Sequence, residues 1–563
     1  MLPFKDRANW SPAQARGQFR QNIFPSLPTS GISAAFTQVS VHIVPSSAAG
    51  HFSEFCRMNH GPCPIVHQSK PGEVSASPIA ADSDIRTDQT AYGIFEHGVH
   101  TKTVTDILDI PFDDFVAFYL GCSHSFELAL TNAGLPVRHQ QVDRSVPSYK
   151  TKIPCISVGP FSGNVVASMR PMPRNLVHRA ADVTAVLEQV HGAPLHVGDP
   201  CWIGVQDLLH PEYDDEPNIK EGDVCMFWGC GTTAMEVLTN SKLPLMISLS
   251  PTANCCDFIT DLSNEAFNKM HTPKSGFFQT RAVFICEQPV LGSLISDKAM
   301  ELIQQLETLD KHDALKPVIE VNGKPDEPVD SLIKAAMRLS HASSVAIVTL
   351  DDISTKGGFS VLSVIKSLMA TQTKDIVLLV PEEKHPEWTN AISSCVDLKM
   401  LKKPVRVSTF ETCGQCSKED TLKILRPLLS TMDGIKPVGD CSRKFTALVG
   451  CGKEGGLWVE SEAELMADID AASTKTSECT WPGEVLAGAL YTLKCCPVHS
   501  RYLRKGLGQH EPLQQSEFVM TPKELRTLLS KFEVKFSTED EEDLVKKTTM
   551  STASTMKCLN IEV

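Results

Sequence analysis

Beyond about residue 290 the chain alternates short apolar runs with segments of helical period, and this alternation limits the fold more than any other feature. SSVAIVTL (343–350), DIVLLV (375–380), VRVSTF (405–410) and FTALVG (445–450) read as buried strands. GFSVLSVIKSLMA (358–370) and KEDTLKILRPLLSTM (418–432) lie between them and read as helices. Strands that alternate with helices predict a doubly wound, mostly parallel α/β sheet.

The first half has a different texture. Strand-like runs at FTQVSVHIV (36–44), VVASM (165–169), DVCMFW (223–228) and LPLMISL (243–249) are separated by long polar connections rich in Pro and Gly. This pattern predicts a mixed α+β domain whose loops carry function. At 563 residues the chain is too long for one hydrophobic core. A helical start at DKAMELIQQLETL (297–309) and the turn-rich KPVIEVNGKPDEPVD (316–330) place the boundary near 290–297. The expected domains are 1–292 and 293–563.

Charge and composition narrow the function. A formal net charge of -14 argues against general nucleic-acid binding, which needs a basic face for phosphates. No apolar run approaches the ~20 residues of a membrane-spanning helix, so no membrane association is expected. The acidic run at 539–543 (EDEED) reads as a solvated face. Nineteen cysteines, an odd number without regular spacing, make a poor disulfide framework. The adjacent pairs Cys255–Cys256 and Cys495–Cys496 suit a reducing compartment. Up to Ser53 the only acidic residue is Asp6, against Lys5, Arg7, Arg16 and Arg20. Such a start fits a mitochondrial transit peptide, with the cytosol as the alternative.

GCSHSFELALTNAGLPVRH (121–139) crowds polar groups at the start of a short helix. Ser123 and Ser125 are good N-cap types, and Glu127 suits the first turn. Phe126, Leu130 and Ala133 share one apolar face, and Gly134 fits a left-handed C-cap. Only Cys122 and His124 lack a structural role. A capping reading stands ahead of a catalytic one, although a helix N-terminus also offers N–H groups to a carboxylate.

Further along, Arg170 ends a strand, where Pro171 keeps the chain extended and a guanidinium can meet a carboxylate bidentately. The helix RNLVHRAADVTAVLEQV (174–190) is expected to bury Leu176, Ala180, Val183 and Leu187. It delivers HGAPLHVGDP (191–200), where His191, His196 and Asp199 sit among glycines. Either histidine alone reads as a satisfied imidazole in a turn. No third ligand can be named for them, so no metal site is expected.

Two other motifs are weaker. Gly450-x-Gly452-x-x-Gly455 has dinucleotide spacing, but its nearest helix signal, Ser461-x-x-Glu464, comes well after the glycines, and a loop is the better reading. Cys413-Gly-Gln-Cys416 has no second pair at zinc spacing and reads as an incidental loop pair.

The ordered set GCSHSFELAL, VPSYKTKIPC (146–155), VVASMRPMP (165–173), VHGAPLHVGDP (190–200), EGDVCMFWGCG (221–231) and FITDL (258–262) resembles a hydro-lyase family. That family occurs as single-domain bacterial proteins and as the N-terminal half of animal D-glutamate cyclases. The resemblance spans about residues 13–265. The second half is similar to the C-terminal domain of the same animal enzymes at SHASSVAIVT (340–349) and LAGALYTLKCCPVHSRYLRKGLG (486–508). It departs from them at two loops. Ser354-Thr355-Lys356-Gly357-Gly358 replaces an acidic Glu-Thr-Asp-Gly-Pro loop, and a Gly-Asp-Gly-Gly-Asn-Glu loop has no counterpart.

The resemblance implies loss of water from D-glutamate to give 5-oxo-D-proline, in the mitochondrial matrix or, alternatively, the cytoplasm. For this reaction Arg170 is the expected carboxylate clamp, with Cys122, Ser123 and Ser125 as donors and Asp261 on the FITDL wall of the pocket. His196 is the expected proton carrier, oriented by Asp199 or Glu127, and His191 is the second candidate. The expected partner is a small-molecule acid, with no cofactor, no nucleic acid and no membrane; a homo-oligomer is left open. The alternatives are a non-catalytic carboxylate-binding protein, a hydro-lyase for another small carboxylic acid, and a redox or metal protein built on the thiols.

Overall fold

The computed structural model describes residues 4–23, 28–252, 257–265, 279–287, 289–308, 331–342, 344–349, 352–354, 356–371, 375–410, 446–451, 457–461 and 482–507, with Glu524 and Thr527. The chain mixes helices and sheets and divides into two compact units. One comprises Met1–Ala282 with Arg501–His510, the other Val283–Ser500 with Glu511–Val563. No helix among the described residues is long and apolar enough to cross a membrane.

The first unit is built on two antiparallel sheets. In the larger, Phe36–Pro45 lies between Phe115–Gly121 and Met246–Ser248, and Phe258–Ser263 also pairs with it. Ile65–Gln68 extends one side, and Tyr92–Glu96 with Val99–Val104 the other. Alternate residues feed two cores: Val44, Val116, Phe118 and Leu120 on one face, Val41, Ile43, Ala117 and Tyr119 on the other. A strand covered on both faces reads as an unbroken apolar run, as FTQVSVHIV does.

The smaller sheet orders Ser148–Pro154, Asn164–Pro173, Asp223–Gly229 and the two-residue strand His196–Val197, all antiparallel. Met169 faces Phe227, which faces His196; Arg170 faces Met226, which faces Val197. Directly paired residues project to the same side, and successive residues to opposite sides. The sheet therefore has a Met169–Phe227–His196 face and an Arg170–Met226–Val197 face. The first packs with Phe52, Phe118 and Phe161 of the central core. Expected strands 165–169 and 223–228 are observed within Asn164–Pro173 and Asp223–Gly229.

The helix expected over 174–190 is shorter and rotated. Arg174–Leu176 is a 3-10 turn, Val177–Ala185 is α-helical, and Val177, Ala180, Ala181 and Thr184 are its buried residues. Leu176 and Val183, expected in the core, are only half-buried. A 3-10 turn advances three residues per turn, so it shifts the phase of the helix that follows.

In the second unit Ser344–Thr349 pairs in parallel with Asp375–Pro381 and with Thr446–Cys451. Arg406–Phe410 adds a further parallel strand, and Leu457–Ser461 adds an antiparallel one beside Thr446–Cys451. Helices Lys356–Ala370 and His385–Asp397 connect the first parallel strands in chain order. The chain resumes after residues 452–456 in the strand Leu457–Ser461, and Gly452 and Gly455 of the glycine-rich motif lie outside the described residues. The expected helix at 418–432, the Cys413–Cys416 pair, the turn-rich 316–330, the second half of the Ser461–Glu464 box and the 539–543 acidic run lie outside the described residues.

Candidate active site

Strand Phe115–Gly121 ends in the polar turn singled out in the sequence. Ser123–Phe126 is a 3-10 turn leading into the helix Glu127–Asn132. Cys122 holds the extended N-cap position, with no side-chain cap bond. The helix closes as expected on Gly134, whose φ is 77°. Gly134 N–H bonds to Thr131 O and Leu135 N–H to Leu130 O, the Schellman pattern. At the other end, a Cβ on Gly121 would stand 1.8 Å from the carbonyl oxygen of Gln189. Glycine is needed there because the segment leading to His191 packs directly on the strand end.

Ser123 and Ser125 diverge in role. Ser125 Oγ accepts from Gln38 N–H at 2.8 Å and donates to Gln38 O at 3.0 Å, tying the turn to the central strand. Ser123 Oγ accepts from Arg170 Nη2 at 3.1 Å. The fully buried Arg170 also donates to Ser168 Oγ at 3.2 Å and to Glu127 Oε1 at 2.5 Å. Its guanidinium carbon lies 4.6 Å from the Phe126 ring centroid and 5.8 Å from that of Trp228. Two aromatic faces thus flank the cation while hydroxyls and a carboxylate take its edges.

Glu127 is the hub of this network. Its carboxylate also meets His139 Nε2 at 3.1 Å, Gln140 Nε2 at 2.6 Å and Ser30 Oγ at 3.1 Å. Burial alone would raise its pKa, but His139 and Arg170 overcome that and hold it well below the usual carboxylate range. Burial lowers the His139 pKa despite the pull of Glu127. Arg170 keeps one buried donor, Nε, without a hydrogen-bond partner.

A second cluster adjoins the first through Ser123. Cys122 Sγ, a ring nitrogen of His124 and a carboxylate oxygen of Asp257 all lie within 4.8 Å of one another, and all three residues are buried. His124 Nδ1 stands 3.0 Å from Asp257 Oδ2, yet neither ring nitrogen has a partner in hydrogen-bond geometry. Burial disfavours a charged His124, but the negative groups at Cys122, Asp257 and Glu127 outweigh it and raise its pKa well above the ordinary value.

Of the two expected histidines, only His191 adjoins the site. His196 is on the opposite face of the small sheet from Arg170, so it is not the proton carrier of an Arg170 site. It packs 5.7 Å from the Phe227 ring and donates from Nε2 to the Asp199 carbonyl oxygen at 2.8 Å. Burial, aided by Lys505, pushes its pKa down to about 3. The Asp199 carboxylate accepts from Cys201 N–H at 2.8 Å and caps the turn Pro200–Ile203; only its backbone orients His196. Glu127 belongs to Arg170, not to His196. His191 donates from Nδ1 to Gly61 O at 2.9 Å, and burial lowers its pKa to about 4, with Arg170 and Asp257 both acting on it. Its Nε2 has no hydrogen-bond partner. Asp261 is 42% exposed and pairs with Arg16 Nη2 at 2.9 Å, so the acid beside the Cys122 turn is instead Asp257.

Sequence reasoning therefore missed His139, Asp257 and Ser168, and left His124 without a role. The signal for His124 was its lack of a structural task. His139 closes the same quoted stretch, Ser168 precedes Arg170 by one pleat repeat, and Asp257 immediately precedes the FITDL motif.

Residues 116–261 match the D-glutamate cyclase family, a stretch that holds Cys122, His124, Glu127, His139, Arg170 and Asp257. A protein named "Putative hydro-lyase" from Geobacillus kaustophilus is 42% identical over 258 residues, covering 46% of this chain and 97% of the relative. One from Stutzerimonas stutzeri is 42% identical over 255 residues, covering 45% and 95%. "Putative hydro-lyase YcsI" of Bacillus subtilis is 41% identical over 239 residues, covering 42% and 92%. With nearly the whole of each relative matched at this identity, the chain belongs to the D-glutamate cyclase family of hydro-lyase-like proteins.

Proposed function

We propose that the chain is a hydro-lyase that cyclises D-glutamate to 5-oxo-D-proline and water. The observation that carries this reading is the buried Arg170–Glu127–His139 network inside the stretch that matches the family. In the reaction the amine nitrogen bonds to the side-chain carboxyl carbon and one C–O bond of that carboxyl breaks. The ammonium gives up two protons and the departing oxygen takes up two, so water leaves and the net charge is unchanged.

The carboxylate has one group to meet it, and the two ammonium protons have two acceptors, which once protonated return them to the departing oxygen. Arg170 Nε donates to a substrate carboxylate, while Glu127 and the serines fix the other edges of the guanidinium. His139, held neutral by burial and donating from Nε2 to Glu127, has Nδ1 as its basic atom for the ammonium proton. His191 donates from Nδ1 to Gly61, which makes its Nε2 an acceptor. Flanking Phe126 and Trp228 lower the local dielectric, which strengthens every charged contact at Arg170.

The test is formation of 5-oxoproline from D-glutamate by the purified full-length chain, beside Arg170→Lys and His139→Gln. Removal of a positioned proton carrier costs about 10²–10⁴ in rate, and His139→Gln is expected to fall in that range. Wild-type protein without turnover, or both variants with undiminished turnover, would sink the reading.

A further inference from the structure

Cys122, His124 and Asp257 bring a thiol, an imidazole and a carboxylate together in the interior, with their ligand atoms all within 4.8 Å of one another. Among the described residues this is the one group of His, Cys, Asp and Glu side chains so arranged. Donors around a tetrahedral ion stand about 3.3–3.6 Å apart, given metal–ligand bonds of about 2.0–2.3 Å. Rotamer adjustments of well under 2 Å would therefore close these three onto one ion.

The orientation of His124 is an independent observation. A buried imidazole 3.0 Å from a carboxylate oxygen normally donates to it, yet Nδ1 does not lie in hydrogen-bond geometry with Asp257, and Nε2 has no partner either. Once the ring gives up the proton that Cys122, Asp257 and Glu127 favour on it, a ring set beside a carboxylate without donating to it lets both groups direct lone pairs to a common third atom. Thiolate and carboxylate together carry two negative charges, which a divalent ion balances.

We infer that Cys122, His124 and Asp257 bind one divalent transition-metal ion of the zinc class. The donor set selects the class. Thiolate and imidazole favour zinc and its transition-metal neighbours over magnesium or calcium, which prefer oxygen-only shells. Three protein ligands leave a fourth position open, the pattern of a catalytic site. Ser123, between two of the ligands in sequence, accepts from Arg170 at 3.1 Å, so the ion stands beside the proposed carboxylate clamp. Its use in catalysis rests on the reading above: the open position receives an oxygen of the carboxyl under attack and draws charge from its carbon.

The test reads metal binding separately from turnover. Full-length protein is stripped with a chelator, reloaded with zinc, dialysed and measured by elemental analysis; one zinc per chain is expected. Cobalt loaded instead should give a thiolate-to-metal absorption band. Cys122→Ser should abolish that band, and Asp257→Asn should weaken zinc binding at least about tenfold, with folding checked by circular dichroism. Cys201→Ser should bind as wild type does. Absence of stoichiometric zinc in wild type, or a cobalt–thiolate band that survives in Cys122→Ser, overturns the inference. The two proposals fail separately. Full D-glutamate turnover in metal-free protein ends the use of the ion in catalysis and leaves its binding to the elemental analysis, whereas stoichiometric zinc without turnover ends the cyclase reading alone.

Discussion

The two faces of the small sheet use the same strands for opposite purposes. On one, Arg170 sits among Ser168, Ser123 and Glu127, and its charge is met by partners on every engaged edge. On the other, one residue away in strand parity, His196 lies against Phe227 and is kept neutral by burial. Both faces are buried, so burial does not distinguish a polar site from a core that happens to contain a histidine. What distinguishes them is whether opposite charges converge. An isolated buried titratable group gives up its charge, and a group met by opposite charges keeps it.

The strongest way to break this contrast is to remove the central cation. Arg170→Met leaves Glu127 buried with less compensation and is expected to cost about 3–5 kcal/mol of unfolding free energy. Adding Glu127→Gln should recover part of that loss, which urea unfolding of the single and double variants would show. Equal costs would mean that the network is not coupled.

The opposite face should respond to pH rather than to charge removal. The unfolded chain protonates His196 near its ordinary pKa of about 6.5, whereas the folded chain does so only near 3. Between those values the unfolded state binds more protons, so this contribution is present above pH 6.5 and is lost as pH falls. His196→Gln should flatten the stability curve between pH 4 and 6 by up to about 1.4 kcal/mol per pH unit. Buried His42 and His191, with pKa values lowered to about 3 and about 4, keep a slope of the same sign in the variant. D-glutamate turnover should stay near wild type; a large loss would return His196 to the active site.

The smallest effect is expected at the far end of the Glu127 helix. A Cβ on Gly134 would meet nothing within 4 Å, so Gly134→Ala pays only for the left-handed backbone, about 1 kcal/mol. A thermal melt should show that modest loss with metal and substrate behaviour unchanged.

Much of this arrangement was legible before the structure. Unbroken apolar runs marked the central strands and the Gly134 cap was readable from residue type; Arg170 was expected at a strand end, but its strand runs on through Pro171 to Pro173. His196 was misplaced because a two-residue strand gives no periodicity from which to read its face, and parity decides everything there. Asp257 was missed because it reaches the Cys122 turn only through pairing of Phe258–Ser263 with Phe36–Pro45, a contact set by sheet topology rather than by spacing. The Val177–Ala185 face was wrong by one residue because a 3-10 turn precedes it.

The contact between Gly121 and the Gln189 carbonyl has a mechanical consequence. It seats the turn bearing Cys122, Ser123 and His124 directly on the segment that ends in His191, with no side chain between them to absorb movement. A displacement of either segment is passed to the other, so a ligand that draws in Cys122 or His124 also repositions His191. The site then tightens as a single jaw rather than residue by residue.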